Sequence, residues 1–297
     1  MAQEPEIVEW KWDGGNKKYV HWIHISKGII LFILLALGAF IMIAPLLWMV
    51  STSIKSRLEV FALPPVWIPE TINWSKYTEI WVKGPVLKGI INSLIVTVSV
   101  TAGSTFTSSL AAFAFARLRF PFKKTIFLVL LGTTMIPYSV VMIPQFVMFS
   151  CMGWVDTLKP LIVPGILGNV IMIFFLRQYI VSSVPEELIE AAKIDGCPIF
   201  GMYSRIVFPL ITPAIVAQVI LCFMGCWNDY LAPMIYLSSP ENRTLQIVIA
   251  AFNSTYAIQT DYPLIMAASV VSMIPLLIVF IIFQRKIVES IALTGLK

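Results

Sequence analysis

The sequence predicts an all-α polytopic membrane protein: six transmembrane helices, a polar cytoplasmic hairpin between two of them and both termini in the cytoplasm. Three observations predict it. Hydrophobic residues make up 58% of the 297-residue chain and charged residues only 12%, against roughly 25% charged in soluble domains. The mean hydropathy is +0.86. Six apolar stretches reach the roughly 20 residues that an α-helix needs to cross a bilayer.

Residues 1–27 read as a polar N-terminal tail containing Lys11, Lys17, Lys18 and Lys27. The first apolar run, 28–50, follows it and is too long for the core of a cleaved signal peptide. Residues 51–89, rich in Pro and Trp, read as an external cap partly lying on the membrane. The second stretch, 90–116, carries Thr97, Thr101, Ser104 and Thr107; the third, 125–150, carries Pro137 and Pro144; the fourth, 160–181, carries Pro164 and Asn169. Such residues are tolerated where neighbouring helices or a water-filled path satisfy the backbone. The fifth stretch, 207–237, contains Trp227-Asn228-Asp229-Tyr230. Residues 238–261 read as a polar external segment with a short apolar element at Leu245–Phe252. The sixth stretch is 262–284, and 285–297 is a short tail. Residues 28–284 thus form one six-helix membrane domain, with the polar hairpin at 185–209, between two tails expected to be cytoplasmic.

Orientation follows the distribution of Lys and Arg. Fourteen lie on the side of the two tails, the 117–124 loop and the 185–209 segment, against seven on the opposite side. The first side is therefore expected to be cytoplasmic. The net charge of +5 forms no basic stripe with interleaved aromatics, which argues against nucleic acid and for contacts to anionic membrane lipid.

Pro185 to Pro209 is the anomaly, a polar hairpin in a membrane chain. Pro185 suits a first helical turn, and Glu186 and Glu187 there complement the helix dipole. Gly196 suits the left-handed position after a helix, and Pro198 blocks continuation. A second short helix places Ile199, Met202, Tyr203 and Ile206 on one apolar face, and Pro209 marks the start of the fifth span. The first helix is acidic: Glu186, Glu187, Glu190 and Asp195 stand against Lys193. Helices that lie on anionic membranes favour Lys and Arg, so a protein partner explains this face better.

Glu190-Ala191-Ala192, three residues, Gly196, nine residues, Ile206, one residue, Phe208-Pro209 resembles the EAA signature of ABC-importer permeases, with Phe208 in place of Leu. The six spans, the tail ending Ala292-Leu293-Thr294-Gly295-Leu296-Lys297, and Trp227-Asn228-Asp229-Tyr230 resemble the sugar-importer branch, in particular the smaller permease of maltose-type systems. The resemblance covers about 28–297.

The resemblance implies a heterodimer with a second EAA-type permease. Two ABC ATPase subunits would each grip one hairpin, and an extracellular binding lipoprotein or periplasmic protein would deliver the sugar. It assigns ATPase coupling to Glu190, Ala191, Ala192, Asp195, Gly196, Ile206 and Pro209. Trp227, Asn228, Asp229 and Tyr230, with the most polar pair of the fifth stretch, are candidates for a structural, pathway or gate role, and the resemblance gives Asn253, Tyr256, Asp261 and Tyr262 a place in a loop that meets the binding protein. The implied localisation is the bacterial cytoplasmic membrane.

No phosphate-binding GxxxxGK[ST] loop is present, the nearest run being Gly14-Gly15-Asn16-Lys17-Lys18. The chain is therefore expected to bind no cofactor, with ATP and Mg on the partner ATPases. No metal-ligand or catalytic spacing is found: His21 and His24 stand apart from Cys151, Cys197, Cys222 and Cys226. A secondary transporter would want midplane ionisable residues and paired repeats, and neither is evident. An ABC permease for a non-sugar solute stays open at this point.

Overall fold

The computed structural model describes the backbone of residues 17–253 and 260–295 and the side chains of 28–253 and 260–284. Among the described residues there are helices and loops and no strand. In chain order the helices are α1 (Lys17–Ser53), α2 (Arg57–Val60), α3 (Ser75–Lys83), α4 (Val86–Arg117), α5 (Lys123–Thr133), α6 (Tyr138–Cys151), α7 (Lys159–Ile166), α8 (Val170–Ser183), α9 (Glu186–Ile194), α10 (Ile199–Met202), a wide π turn (Tyr203–Val207), α11 (Phe208–Trp227), α12 (Leu231–Tyr236), α13 (Leu245–Ala250) and α14 (Tyr262–Gly295). The chain divides into two units, residues 1–51 and 52–297. The first is essentially α1, whose segment from Gly28 is long and apolar enough to cross a bilayer. The second holds α2 to α14.

Within the second unit α4 is the spine, and α7, α8, α11 and α13 all pack on it. Its buried residues Ser93, Val96, Thr97, Val100, Thr101, Ser104 and Ser108 recur every one to four positions along one side of the helix. Lipid tails are as apolar as leucine, so helices in a membrane associate through close packing of small residues and hydrogen bonds. The crossing of α4 and α7 follows that rule. A Cβ added to Gly103 would stand 2.7 Å from Ile166, and one added to Gly165 would stand 2.8 Å from Val100. Gly103→Leu is expected to overpack this crossing by about 1–3 kcal/mol and to lower the thermal unfolding midpoint of the purified chain. An unchanged midpoint would mean that the crossing tolerates a side chain.

Three predicted spans differ from continuous helices. The third, 125–150, is broken: α5 and α6 meet at 93°. Pro137 causes the break, since it has no N–H to continue a helix and disfavours helical backbone at Ile136; Pro137 itself is extended, with ψ 138°. With this bent pair taken as one span, the described residues hold up to six helices long and apolar enough to cross a bilayer.

The fourth, 160–181, is interrupted between α7 and α8 at Gly168, whose φ is +119°. The backbone groups freed there are satisfied from within. Thr107 Oγ1 donates to the Ile166 carbonyl at 2.8 Å, Ser108 Oγ accepts from the Asn169 N–H at 2.9 Å, and Asn169 Oδ1 caps Met172 N at 3.1 Å. Polar residues in α4 and at the head of α8 thus serve helix packing, as apolar surroundings demand.

The fifth predicted span, 207–237, starts earlier and stops sooner. Helix runs from Ile199 through the π turn to Trp227, so the second arm of the hairpin is the first turn of the span itself. The π turn has a local cause. Pro209 offers no N–H to Arg205, and its ring crowds that carbonyl. The preceding Phe208 N–H instead reaches back five residues to Tyr203 O.

Two apolar cores result. One, at the hairpin end, joins Ala112 and Phe113 of α4, Met172, Leu176 and Ile180 of α8, and Val207, Ile211 and Ala214 of the fifth span. The other joins Ile80, Val86, Phe223, Trp227, Leu245, Val248 and Leu264. The predicted apolar element at Leu245–Phe252 is α13, with Leu245 and Val248 fully inside. The predicted tail 285–297 continues α14 as helix to Gly295; its side chains, like those of the N-terminal tail to residue 27, lie outside the described residues.

Candidate coupling hairpin and external segment

The hairpin has two faces with opposite tasks. Inward, Ile189 (1% exposed) and Ala192 of α9 and Met202 and Tyr203 of the second arm enter the same core as α4, α8 and α11. Burying a side chain the size of Ile189 stabilises by about 1.5–3 kcal/mol. Tyr203 adds a buried hydroxyl pair with Ser109 of α4 at 2.7 Å. Outward, Glu190, Ala191 and Asp195 are exposed, beside Ile194 (86% exposed), Ile199 and Phe200. The motif therefore splits. Ala192 packs inside, while Glu190 and Ala191 face out. The apolar face expected for the second arm splits too, since Ile199 lies at the tip beyond the core while Met202 and Tyr203 turn inward.

The turn is fixed by backbone bonds. Cys197 N–H donates to Ala192 O at 2.9 Å and Gly196 N–H to Lys193 O at 3.1 Å, the paired bonds of a Schellman cap. Gly196 takes φ +72°, which L side chains adopt at a cost. A Cβ there would touch nothing within 4 Å, so conformation alone selects glycine. An open groove of about 870 Å³ runs along the tip; Glu190, Lys193, Ile194 and Ile199 form one wall and Leu118, Arg119 and Phe120 the other.

Arg117, read from sequence only as a topology charge, is the residue that sequence reasoning missed. Its side chain is 9% exposed. It donates to the carbonyls of Ile180 (3.2 Å) and Val181 (3.4 Å) and to that of Val184, the last carbonyls of α8. It also lies 4.0 Å from Glu186 at the start of α9. One guanidinium from α4 thus caps α8 and faces the head of the hairpin. A cation at a helix C-terminus is favourable, but nothing in the local sequence links Arg117 to residues more than sixty positions away.

At the other end, Trp227 is 1% exposed, stacks on Phe223 with 6.1 Å between ring centroids, and donates Nε1–H to Ser272 O at 3.0 Å. It is a packing anchor. Asn228, Asp229 and Tyr230 lie beyond the end of α11, not inside a span, and Asp229 Oδ1 accepts from Ala232 N at 3.4 Å. Asn228 and Tyr230 are exposed.

Asp261 is salt-bridged to Lys76 at 2.9 Å and caps α14 through Leu264 N at 3.3 Å. Within α3, Lys76 and Lys83 also bind Glu79, at 3.0 and 2.7 Å, while the Lys76–Asp261 bridge ties α3 to the start of α14. Tyr262 meets Phe61 edge-on, and Asn253 Oδ1 accepts from Thr260. Tyr256 lies outside the described residues. Among those residues no cluster of metal-ligating side chains occurs.

A second clamp holds the segment after α12. Asp156 Oδ1 accepts from Ser238 N and Ser239 N, both at 2.9 Å, and Asn242 Nδ2 donates to Asp156 O at 2.6 Å. The Ser239 hydroxyl and the two N–H groups hold the Asp156 carboxyl down from 3.8 to about 2. A folded-state value below the unfolded one means that the clamp is complete above about pH 4 and weakens as pH falls towards 2. Amide protection at Ser238 and Ser239, corrected for intrinsic exchange, should decline over that window. In Asp156→Asn, whose amide oxygen still accepts but does not titrate, it should be flat across that window. Protection that is unchanged down to pH 2 would contradict the clamp.

Comparison with known proteins decides the family. Residues 103–292 match the model of the binding-protein-dependent transport system inner membrane component. The chain belongs to that family. It is accordingly a multi-pass inner-membrane permease subunit of an ABC importer. The arabinooligosaccharides transport system permease protein AraQ of Halalkalibacterium halodurans is 31% identical over 262 residues, covering 87% of this chain and 92% of that protein. The sulfoquinovosyl glycerol transport system permease protein SmoH of Agrobacterium fabrum is 29% identical, covering 89% and 91%. A solved bacterial ABC transporter involved in import of the acidic polysaccharide alginate matches in fold, with a TM-score of 0.73, 22% identity and coverage of 93% of this chain and 99% of that one.

Proposed function

We propose that this permease forms one half of the translocation path for a carbohydrate and that its Pro185–Pro209 hairpin is the joint to a partner ATPase. The observation that carries the reading is the two-sided hairpin. Its inner face shares one apolar core with α4, α8 and α11, while its tip presents Glu190, Ile194 and Phe200. A partner that pulls the tip would move α8 and α11 with it, because packed cores shift as bodies. Glu190 supplies the charge-assisted bond at the joint, and Gly196 fixes the turn that aims it.

Carbohydrate is the substrate class in the names of the two relatives. ATP and Mg are assigned to two partner ATPase subunits, since the chain has no phosphate-binding loop. A second permease completes the path, and an extracellular binding protein delivers the sugar near residues 253–262. Asn228, Asp229 and Tyr230 are assigned to the external end of the path. The hairpin and both termini are assigned to the cytoplasm by the Lys and Arg distribution.

The test is ATPase activity of the reconstituted complex with its binding protein across a carbohydrate panel. Stimulation by at least one carbohydrate is expected. Stimulation only by non-carbohydrate solutes would overturn the substrate class while leaving the joint intact.

A further inference from the structure

We infer that the cleft between α5 and α8 binds an anionic phospholipid of the cytoplasmic leaflet, its phosphate at Lys123, Lys124 and Arg177 and its acyl chains along Phe127 and Leu128. The cleft has a volume of about 490 Å³ and is lined by Phe115, Lys123, Lys124, Phe127, Leu128 and Arg177. The apolar stems of the three cations and the three apolar residues line it, so its wall is almost wholly apolar and a phosphate would sit at its edge. Two of the cations are held in place. Lys123 Nζ donates to Leu118 O at 2.8 Å, and Arg177 donates to Phe115 O at 3.3 Å while its guanidinium lies 4.6 Å from the centre of the Phe127 ring. Guanidinium stacked on an aromatic ring is pre-organised for a phosphate and loses little freedom on binding one.

Charge balance argues for an anion. Lys123 lies within electrostatic reach of Arg117 and Arg177, opposed among the described residues by Glu186. Glu186 is spoken for by the exposed head of α9, 4.0 Å from Arg117. Apolar continuity argues that the anion is a lipid. Leu128 and Val129 of α5 are 66% and 65% exposed, and Phe174 and Ile171 of α8 are 40% and 67% exposed. The two apolar flanks run away from the cations along both helices, the layout of a headgroup pocket above an acyl channel. Basic pockets between spans at the cytoplasmic side suit such headgroups.

The site also has a mechanical consequence. Arg177 is in α8, directly before the hairpin, and Lys123 bonds the end of α4. A lipid seated there would brace the two helices that meet the hairpin base.

The experiment uses the full-length chain in nanodiscs of phosphatidylcholine alone or with phosphatidylglycerol. Thermal unfolding midpoints and retained lipid by native mass spectrometry are the readouts. Phosphatidylglycerol is expected to raise the midpoint and to be retained on the chain. Each neutralised cation should weaken retention about fivefold. Arg177→Gln also removes a structural bond, so Lys124→Gln is the decisive variant; Lys124 is exposed, and its loss leaves the fold intact. Retention equal in wild type and Lys124→Gln would overturn the proposal. So would an equal midpoint rise from millimolar inorganic phosphate in phosphatidylcholine discs, which would identify a soluble anion as the occupant.

Discussion

Replacing Glu190 by Ala and Gly196 by Val together is expected to abolish uptake while the chain still folds, inserts and assembles. Neither change touches the core. Glu190 is exposed, and a Cβ on Gly196 meets nothing within 4 Å. The penalties fall on the joint. A β-branched residue at φ +72° costs about 1–3 kcal/mol, so the turn re-forms and Ile194 and Ile199 are no longer aimed together. Removing one partner of an interfacial charged bond costs about 2–5 kcal/mol, which is about thirtyfold or more in affinity. Residual ATP hydrolysis should lose its response to the loaded binding protein. Wild-type uptake by the double variant would contradict the joint.

The second large effect is expected at Arg117. Arg117→Ala leaves the last carbonyls of α8 without their guanidinium. Hydrogen bonds to charged groups contribute about 1.5–3 kcal/mol each, so a loss of ~3 kcal/mol follows even with one shared nitrogen. The ion pair to Glu186 is the smaller part. At 4.0 Å, with Glu186 62% exposed, it is worth at most about 1 kcal/mol. Glu186→Gln should therefore be close to neutral, while Arg117→Ala lowers the unfolding midpoint and uptake together. Lys at position 117 should rescue in part, because all three contacts come from the single nitrogen Nη2 and an ammonium carries three donors on one atom. Equal effects of Arg117→Ala and Glu186→Gln would show that the ion pair, not the helix cap, does the holding.

The comparison of sequence with structure turns on range. The Schellman turn at Gly196 and Pro198 was legible, because its signals sit within a few residues of one another. The spans were legible from apolar length, and the broken third span had its cause, Pro137, in plain view. Its 93° bend was not deducible, because a proline says that a helix stops and not where the next one points. The fifth span misled at both ends. Apolar composition runs across Asn228–Tyr230, and the π turn lets Pro209 sit inside a helix that started at Ile199. Arg117 and the pair Ser109–Tyr203 were out of reach. Their partners lie 63 to 94 positions away, and only the packed bundle brings them together. Asp261 shows the converse, since a residue assigned by position to the external loop is salt-bridged to Lys76 of α3.

The most direct measurement is site-specific cross-linking from the hairpin tip in the assembled importer. Single cysteines replace Ile194 and Phe200, 86% and 60% exposed, with Leu63 of the 51–89 segment, 91% exposed, as the control position; the four native cysteines are changed to serine. Cross-links from 194 and 200 to the ATPase subunit are expected, with yields that change when ATP is added, and none from 63. ATPase cross-links absent from both tip positions, in a complex that still transports, would contradict the hairpin as the joint.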